Sequence, residues 1–209
     1  MLQDIKNKSQ EEIEKVKPKP THDFPIAIHN PDPSDIDFSD IDGRMKKITK
    51  KQSKYNSVSL TQVIENGIWE IETEFTGDLR ATCIGVMKNS HNFSAGDHST
   101  HYSDQCVSFS SQTCSNGQIY YKDNWIDGNQ GYSSGQKVKQ QFDSEVGTLI
   151  FFVDGVQQPV YITGIKEKIR FFVCMHFAGS SCTIRSLKKL TSPTSENVAN
   201  EQAIKWQNY

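Results

Sequence analysis

The side chains best able to do chemistry crowd into one stretch, "MKNSHNFSAGDHSTHYSDQC" (Met87–Cys106). It holds His91, Asp97, His98, His101, Asp104 and Cys106, and His98 and His101 are spaced to reach one metal ion. Structural metal sites, however, are built from Cys and His sets at fixed spacing with a supporting second shell. These residues lie instead in a Ser-, Gly- and Asn-rich loop, so no metal and no cofactor is expected. Cys174 and His176 raise the chemistry of a thiol–imidazole nucleophile. In "IRFFVCMHF" (Ile169–Phe177) they stand two apart on a strand and face the same way as Phe172. That reads as packing, and a thiol in apolar surroundings is inert. Glu70, Glu72 and Glu74 alternate along one strand face, the pattern of a solvated face and not of a glycosidase pair. No coherent catalytic set remains, and the chain is not expected to be an enzyme.

A second polar loop, "YYKDNWIDGNQGYSSG" (Tyr120–Gly135), carries Asp123, Trp125 and Tyr132. A connection alone needs only turn residues such as Gly, Asn and Asp. Large amphipathic aromatics are the residues that interfaces favour. His101 and Tyr102 give the first loop the same character. The candidate partner-binding residues are therefore His101, Tyr102, Asp123, Trp125 and Tyr132, with Tyr102, Trp125 and Tyr132 as anchors. The competing reading is that Trp125 folds inward and plugs the end of the domain.

These loops must be held by strands, because from about Ser34 to Lys188 the apolar period is two. "WEIETEF" sets Trp69, Ile71, Thr73 and Phe75 against three glutamates. "KVKQQFD" sets Val138, Gln140 and Phe142 against a polar face. "TLIFFVDG" is apolar on both faces, so its outer side needs a cover: a loop, the N-terminal segment or a partner. Between the last two, Ser144-Glu145-Val146-Gly147 reads as a turn in which Gly147 supplies a positive φ. "TCIGVM", "QCVSFS", "IRFFVCMHF" and "SCTIRSL" are further strands. Many short strands with Gly, Asn and Asp punctuation and no long helical pattern indicate an all-β sandwich or barrel. Trp69, Ile71, Phe75, Val138, Phe142, Leu149, Phe151 and Phe171 are the expected core.

Outside this region the period is lost. Residues 1–33 read as a disordered or weakly helical tail ending in an extended linker, with Pro18, Pro20, Pro25, Pro31 and Pro33. In residues 189–209, Ser192-Pro193 is a helix-start signal, and Ala199, Ala203 and Trp206 fall on one helical face, so a short C-terminal helix is expected. The chain has 209 residues and a net charge of -2. That balance is unsuited to neutralising a phosphate backbone, which argues against nucleic acid. No apolar segment is long enough to span a membrane, and no secretory h-region opens the sequence. Five cysteines without CxxC spacing suit reduced thiols in the cytoplasm, or the nucleus.

Several stretches together resemble a known family. "NGIWEIETEF" (Asn66–Phe75) looks like its Gly…Trp-Glu strand and "CIGV" (Cys83–Val86) like the Ile-Gly-Val strand that follows. "FDSEVGTLIFFVDG" (Phe142–Gly155) resembles its Asp-x-Glu-x-Gly-Thr-Leu-x-Phe-Phe-x-Asn-Gly hairpin, and "SCTIRSL" its closing strand. In the right order over about 34–188, these are similar to a SPRY domain, the core of the B30.2 family. The extra Leu-Asp-Pro motif of the longer B30.2 unit is not evident. The resemblance implies a concanavalin-like bent sandwich of two antiparallel sheets. It also implies capture of a peptide or protein by loops at one rim, as a substrate-recognition subunit in ubiquitination or a scaffold module. A monomer is expected. The alternative is a carbohydrate-binding sandwich, since Trp- and Asn-rich loops also suit sugars.

Overall fold

The computed structural model describes residues 20–206, so most of the expected N-terminal tail, residues 1–19 with its weak helix, lies outside the described residues. Alternation of apolar and polar residues yields strands throughout, as expected. In chain order they are β1 (Pro20–Asp23), β2 (Ile28–His29), β3 (Ile36–Asp40), β4 (Lys46–Lys50), β5 (Asn56–Leu60), β6 (Ile68–Thr76), β7 (Cys83–Lys88) and β8 (Cys106–Ser110). A single helical turn, α1 (Gln112–Ser115), precedes β9 (Ile119–Tyr121) and β10 (Asn124–Ile126). Then follow β11 (Lys137–Asp143), β12 (Thr148–Val153), β13 (Val156–Gln157), β14 (Val160–Thr163), β15 (Ile169–Met175), β16 (Ser181–Leu190) and β17 (Gln202–Lys205).

The strands make two sheets. One runs β17-β14-β12-β11-β6-β16-β4-β3, with β1 added to β16 and β13 to β12; the other runs β10-β9-β8-β7-β15-β5-β2. All pairings are antiparallel except β14 with β17. The inner faces share one core, and all eight expected core residues are buried in it. Phe109 of one sheet meets Phe151 of the other with ring centroids 4.9 Å apart. Gly147 turns the β11–β12 hairpin at φ 70°, and a Cβ there would lie 2.4 Å from the Ile165 carbonyl oxygen. Only glycine combines that backbone with that approach.

The outer face of β11 and β12 has the cover that its sequence demanded. Phe152 is buried beneath the Lys139 ammonium, 4.2 Å from its ring centroid. The chain beyond β16 crosses the same face. Thr194 N–H donates to the side-chain Oε1 of Gln141, and Gln157 and Glu196 exchange hydrogen bonds at 2.7 and 2.9 Å. The crossing delivers β17 to the edge of β14.

Here the expected C-terminal helix is corrected: Gln202–Lys205 is a parallel strand, not a helix. The open edge of β14 supplies interstrand hydrogen bonds that four exposed helical residues could not match. Trp206, placed on a helical face by its spacing, is buried and stacked on Tyr121 with centroids 5.1 Å apart.

Residues 20–33 likewise are not an extended linker alone. β1 pairs with β16 and β2 with β5. The turn over residues 32–35 is tied in by buried carboxylates. Asp35 pairs with Lys50, both fully buried, while Asp32 accepts from Ser34 and pairs with Lys54 at 2.6 Å. The sandwich therefore takes in strands on both sides of residues 34–188.

Candidate functional site

The outer face of the seven-stranded sheet holds a second, smaller apolar cluster of Cys83, Met87, Phe93, Cys106, Phe172 and Cys174, with Tyr102 packed against it. The register explains its shape. Reading across β15, β7, β8, β9 and β10, one outward row is Phe172, Gly85, Ser108, Tyr120 and Trp125. At Gly85 a Cβ would sit 2.9 Å from the Phe172 ring, so the absent side chain lets that ring lie over the sheet. Residues 89–105 roof the row. Ser108 Oγ donates to Ser99 Oγ at 2.9 Å, and the Cys106 thiol donates to the Ser99 carbonyl at 3.1 Å.

The roof and the β9–β10 hairpin are bonded together. Ser103 Oγ donates to Asp123 Oδ1 at 2.7 Å, and Lys122 N–H donates to the Ser103 carbonyl at 3.1 Å. Tyr120 Oη donates to the same Asp123 oxygen at 3.1 Å. Lys122 and Asp123, the two residues at the hairpin tip, both have positive φ, 49° and 59°. Such a two-residue turn matches the twist of its strands but is ordinarily made with Asn or Gly. The bonds from Ser103 and Tyr120 hold Asp123 in that conformation.

Four of the five expected site residues lie on the roof or on the hairpin tied to it. Asp123 is the junction just described. Trp125 stands outward on the edge strand β10, 44 % exposed, with its ring 4.5 Å from that of Tyr120. The inward plug is thereby excluded for Trp125. His101 is exposed on the roof. Tyr102 is half-buried among His91 and Phe93, and its hydroxyl donates to Asp97 Oδ2 at 2.9 Å. That bond to a carboxylate, followed by burial, raises the Tyr102 phenol above its usual pKa. Burial and then Asp123 do the same to Tyr120.

Tyr132 is the correction. It is fully buried between the sheets, stacked on Phe75 at 5.3 Å and edge-on to Phe109 at 5.6 Å. A bridge to Ser111 and the hydrogen bond from Gln112 N–H to its carbonyl draw it inward, so it is a core residue and not an exposed anchor. Conversely, sequence reading passed over Tyr120. Its signal was available, because Ile119 and Tyr121 point into the core and the residue between them must point out.

The other chemical candidates fall into place. Glu72 and Glu74 pair with Arg185, and Glu70 with Lys139, along the outer face of the ten-stranded sheet. Among the described residues no group of three His, Cys, Asp or Glu side chains could hold a metal, and no helix is long and apolar enough to cross a membrane. A separate cleft of about 540 Å³ on the ten-stranded sheet is lined by Phe24, Pro25, Ile26, Arg44, Arg185 and Leu187, and touches none of the expected site residues.

The fold can now be compared with solved ones. The TRIM65 PSpry domain superposes with a TM-score of 0.58 at 12% identity, covering 76% of this chain and 88% of that one. The SPRY domain of human HERC1 gives 0.48 at 12% identity, over 70% and 90%, and stonustoxin 0.49 at 14%, over 81% and 27%. No protein-family model and no curated protein matches the sequence. The chain is an all-β sandwich with a SPRY-like fold, the class to which its strand motifs pointed.

Proposed function

We propose that this chain is a non-enzymatic capture module for an extended peptide or protein segment. The capture surface is the β9–β10 hairpin together with the adjoining roof residues His101 and Tyr102. One observation carries the reading: Trp125 stands exposed on the edge strand β10, packed against the half-buried Tyr120 of β9, and Asp123 braces the hairpin beneath them. An exposed Trp held against a neighbouring Tyr buries large apolar area with little ordering cost on binding. β10 is outermost in its sheet, so its free backbone edge can also bond an extended partner. Asp104, Asp123 and Asp127 around it favour a segment carrying Lys or Arg. The module acts as a monomer in the cytoplasm or nucleus, as a substrate-recognition or scaffold subunit of the ubiquitination or signalling type. The test is affinity capture from lysate with the intact chain and with Trp125→Ala, quantified by mass spectrometry. A partner retained by the intact chain and by Val146→Ala, but lost with Trp125→Ala, supports the assignment. Equal capture by all three contradicts it, and selective retention on oligosaccharides would favour a lectin-like role.

A further inference from the structure

The register of the β9–β10 hairpin fixes which backbone groups of its edge face outward. Lys122 and Asp123 form a two-residue turn, so Tyr121 and Asn124 close it as a hydrogen-bonded pair. Hydrogen-bonded and non-bonded pairs alternate along antiparallel strands. Ile119 with Ile126 is therefore the next bonded pair, and Tyr120 with Trp125 is a non-bonded one. The neighbouring ladder agrees. Ser110 N–H donates to the Gln118 carbonyl, so Tyr120, two residues on, bonds to β8 opposite Ser108. Tyr120 thus turns its backbone to β8. Trp125 turns its own N–H and carbonyl away from β9, over the free edge of the sheet. One residue supplies both the free backbone pair and the exposed ring.

Two exposed carboxylates flank Trp125 on the outer face. Asp123 accepts at 3.1 Å from the hydroxyl of Tyr120, which stands in the outward row. Asp127 accepts from Gln118 Nε2 at 2.9 Å, and Gln118 points outward because the next residue, Ile119, is in the core. These bonds, with that from Ser103, all use the Oδ1 atoms. Among the described residues neither Oδ2 accepts a hydrogen bond and neither carboxylate has a cationic partner. Lys122 is the one cation in residues 119–127, and its ammonium lies 5.8 Å from the ring of the inward-pointing Tyr121. The outer edge therefore reads acid, aromatic, acid at alternate positions 123, 125 and 127.

Building on the capture surface proposed above, we infer that its partner is an extended segment, antiparallel to β10, with Lys or Arg at positions i and i+4 and Val or Ile at i+2. Residue i+2 lies opposite Trp125. Its N–H donates to the Trp125 carbonyl and its carbonyl accepts from the Trp125 N–H, the exchange made by a bonded antiparallel pair. Its side chain falls on the same face as the indole and packs on it, as aromatic and β-branched residues do across strands. Side chains alternate along a strand, so residues i and i+4 fall on that face too, opposite Asp127 and Asp123. Cations there meet the open Oδ2 atoms. Residues i+1 and i+3 point to the other face and need no charge. Only one residue of β10 offers its backbone, so the indole and the two carboxylates supply the selectivity.

The test is calorimetric titration of the full chain with three capped peptides. The first has the core Arg-Thr-Val-Thr-Arg between glycines. The second, Thr-Arg-Val-Arg-Thr, has the same composition with its cations on the other face. The third is the first with its Val nitrogen methylated. The first should bind. Moving the cations should weaken binding roughly fivefold, the scale of two exposed ion pairs. Methylation should weaken it by a similar factor, the scale of one net hydrogen bond. Asp127→Asn, its fold checked by a thermal melt, should cut the advantage of the first peptide over the second from roughly fivefold to roughly twofold. Equal affinity for the first two peptides, both lost with Trp125→Ala, would overturn the i, i+4 spacing while supporting the capture surface. Undiminished binding of the methylated peptide would overturn the antiparallel pairing. Binding that survives Trp125→Ala, or no binding of any peptide, would overturn the inferred partner; the capture surface itself is then judged separately, by the lysate experiment.

Discussion

At the scale of single residues, Trp125 and Tyr132 carry the lesson. Both are aromatics in one Gly- and Asn-rich stretch, and composition gave them the same role. Trp125 is exposed on an edge strand, while Tyr132 is sealed against Phe75 and Phe109. Periodicity decides facing within a strand, but Tyr132 lies in a connection, where no period exists; only the bridge to Ser111 directs it. The two positions should therefore behave oppositely in urea melts. Tyr132→Ala should cost about 3–5 kcal/mol, the range for deleting a buried aromatic ring. Trp125→Ala should cost less than about 1 kcal/mol, since it loses only an exposed contact with Tyr120.

At the scale of elements, the alternating strands were legible and the chain ends were not. "WEIETEF" and "KVKQQFD" have inner and outer faces that their residue types alone determine, and β6 and β11 pair with Trp69 opposite Phe142. The double-sided "TLIFFV" also announced its need for a cover, though not that residues 191–201 would supply it. Ala203 and Trp206 are three apart and fit a helical face as well as a strand with a residue beyond it. The choice rests on the open edge of β14, which no local pattern reveals. Trp206 should therefore matter as a core residue. Trp206→Ala should lower stability by about 3–5 kcal/mol through the lost packing on Tyr121, read from the urea midpoint. A change under about 0.5 kcal/mol, the size of an ordinary surface substitution, would mean that β17 is not docked.

At the scale of the whole molecule, a polar network joins the N-terminal turn to the sandwich and makes stability depend on acid. The Lys54 and then Ser34 hydrogen bonds hold the Asp32 carboxyl far below its usual pKa. The folded state thus binds this proton less readily than the unfolded chain. The stabilisation is present above the unfolded value, near pH 4, and is lost as pH falls through the lower folded value. Urea midpoints measured from neutral pH to about pH 3 should fall, and Asp32→Asn should make that fall shallower. The same rigidity serves the proposed surface, since a sandwich that holds the β9–β10 hairpin in place leaves little to order on binding. The most direct test is the dissociation constant of a captured partner for Trp125→Ala, measured beside its thermal melt. The account predicts an affinity loss of at least ~2 kcal/mol, roughly 30-fold, with the melt nearly unchanged. Affinity kept within a factor of about two, well under 1 kcal/mol, would contradict the assignment of the Tyr120–Trp125 edge as the capture surface.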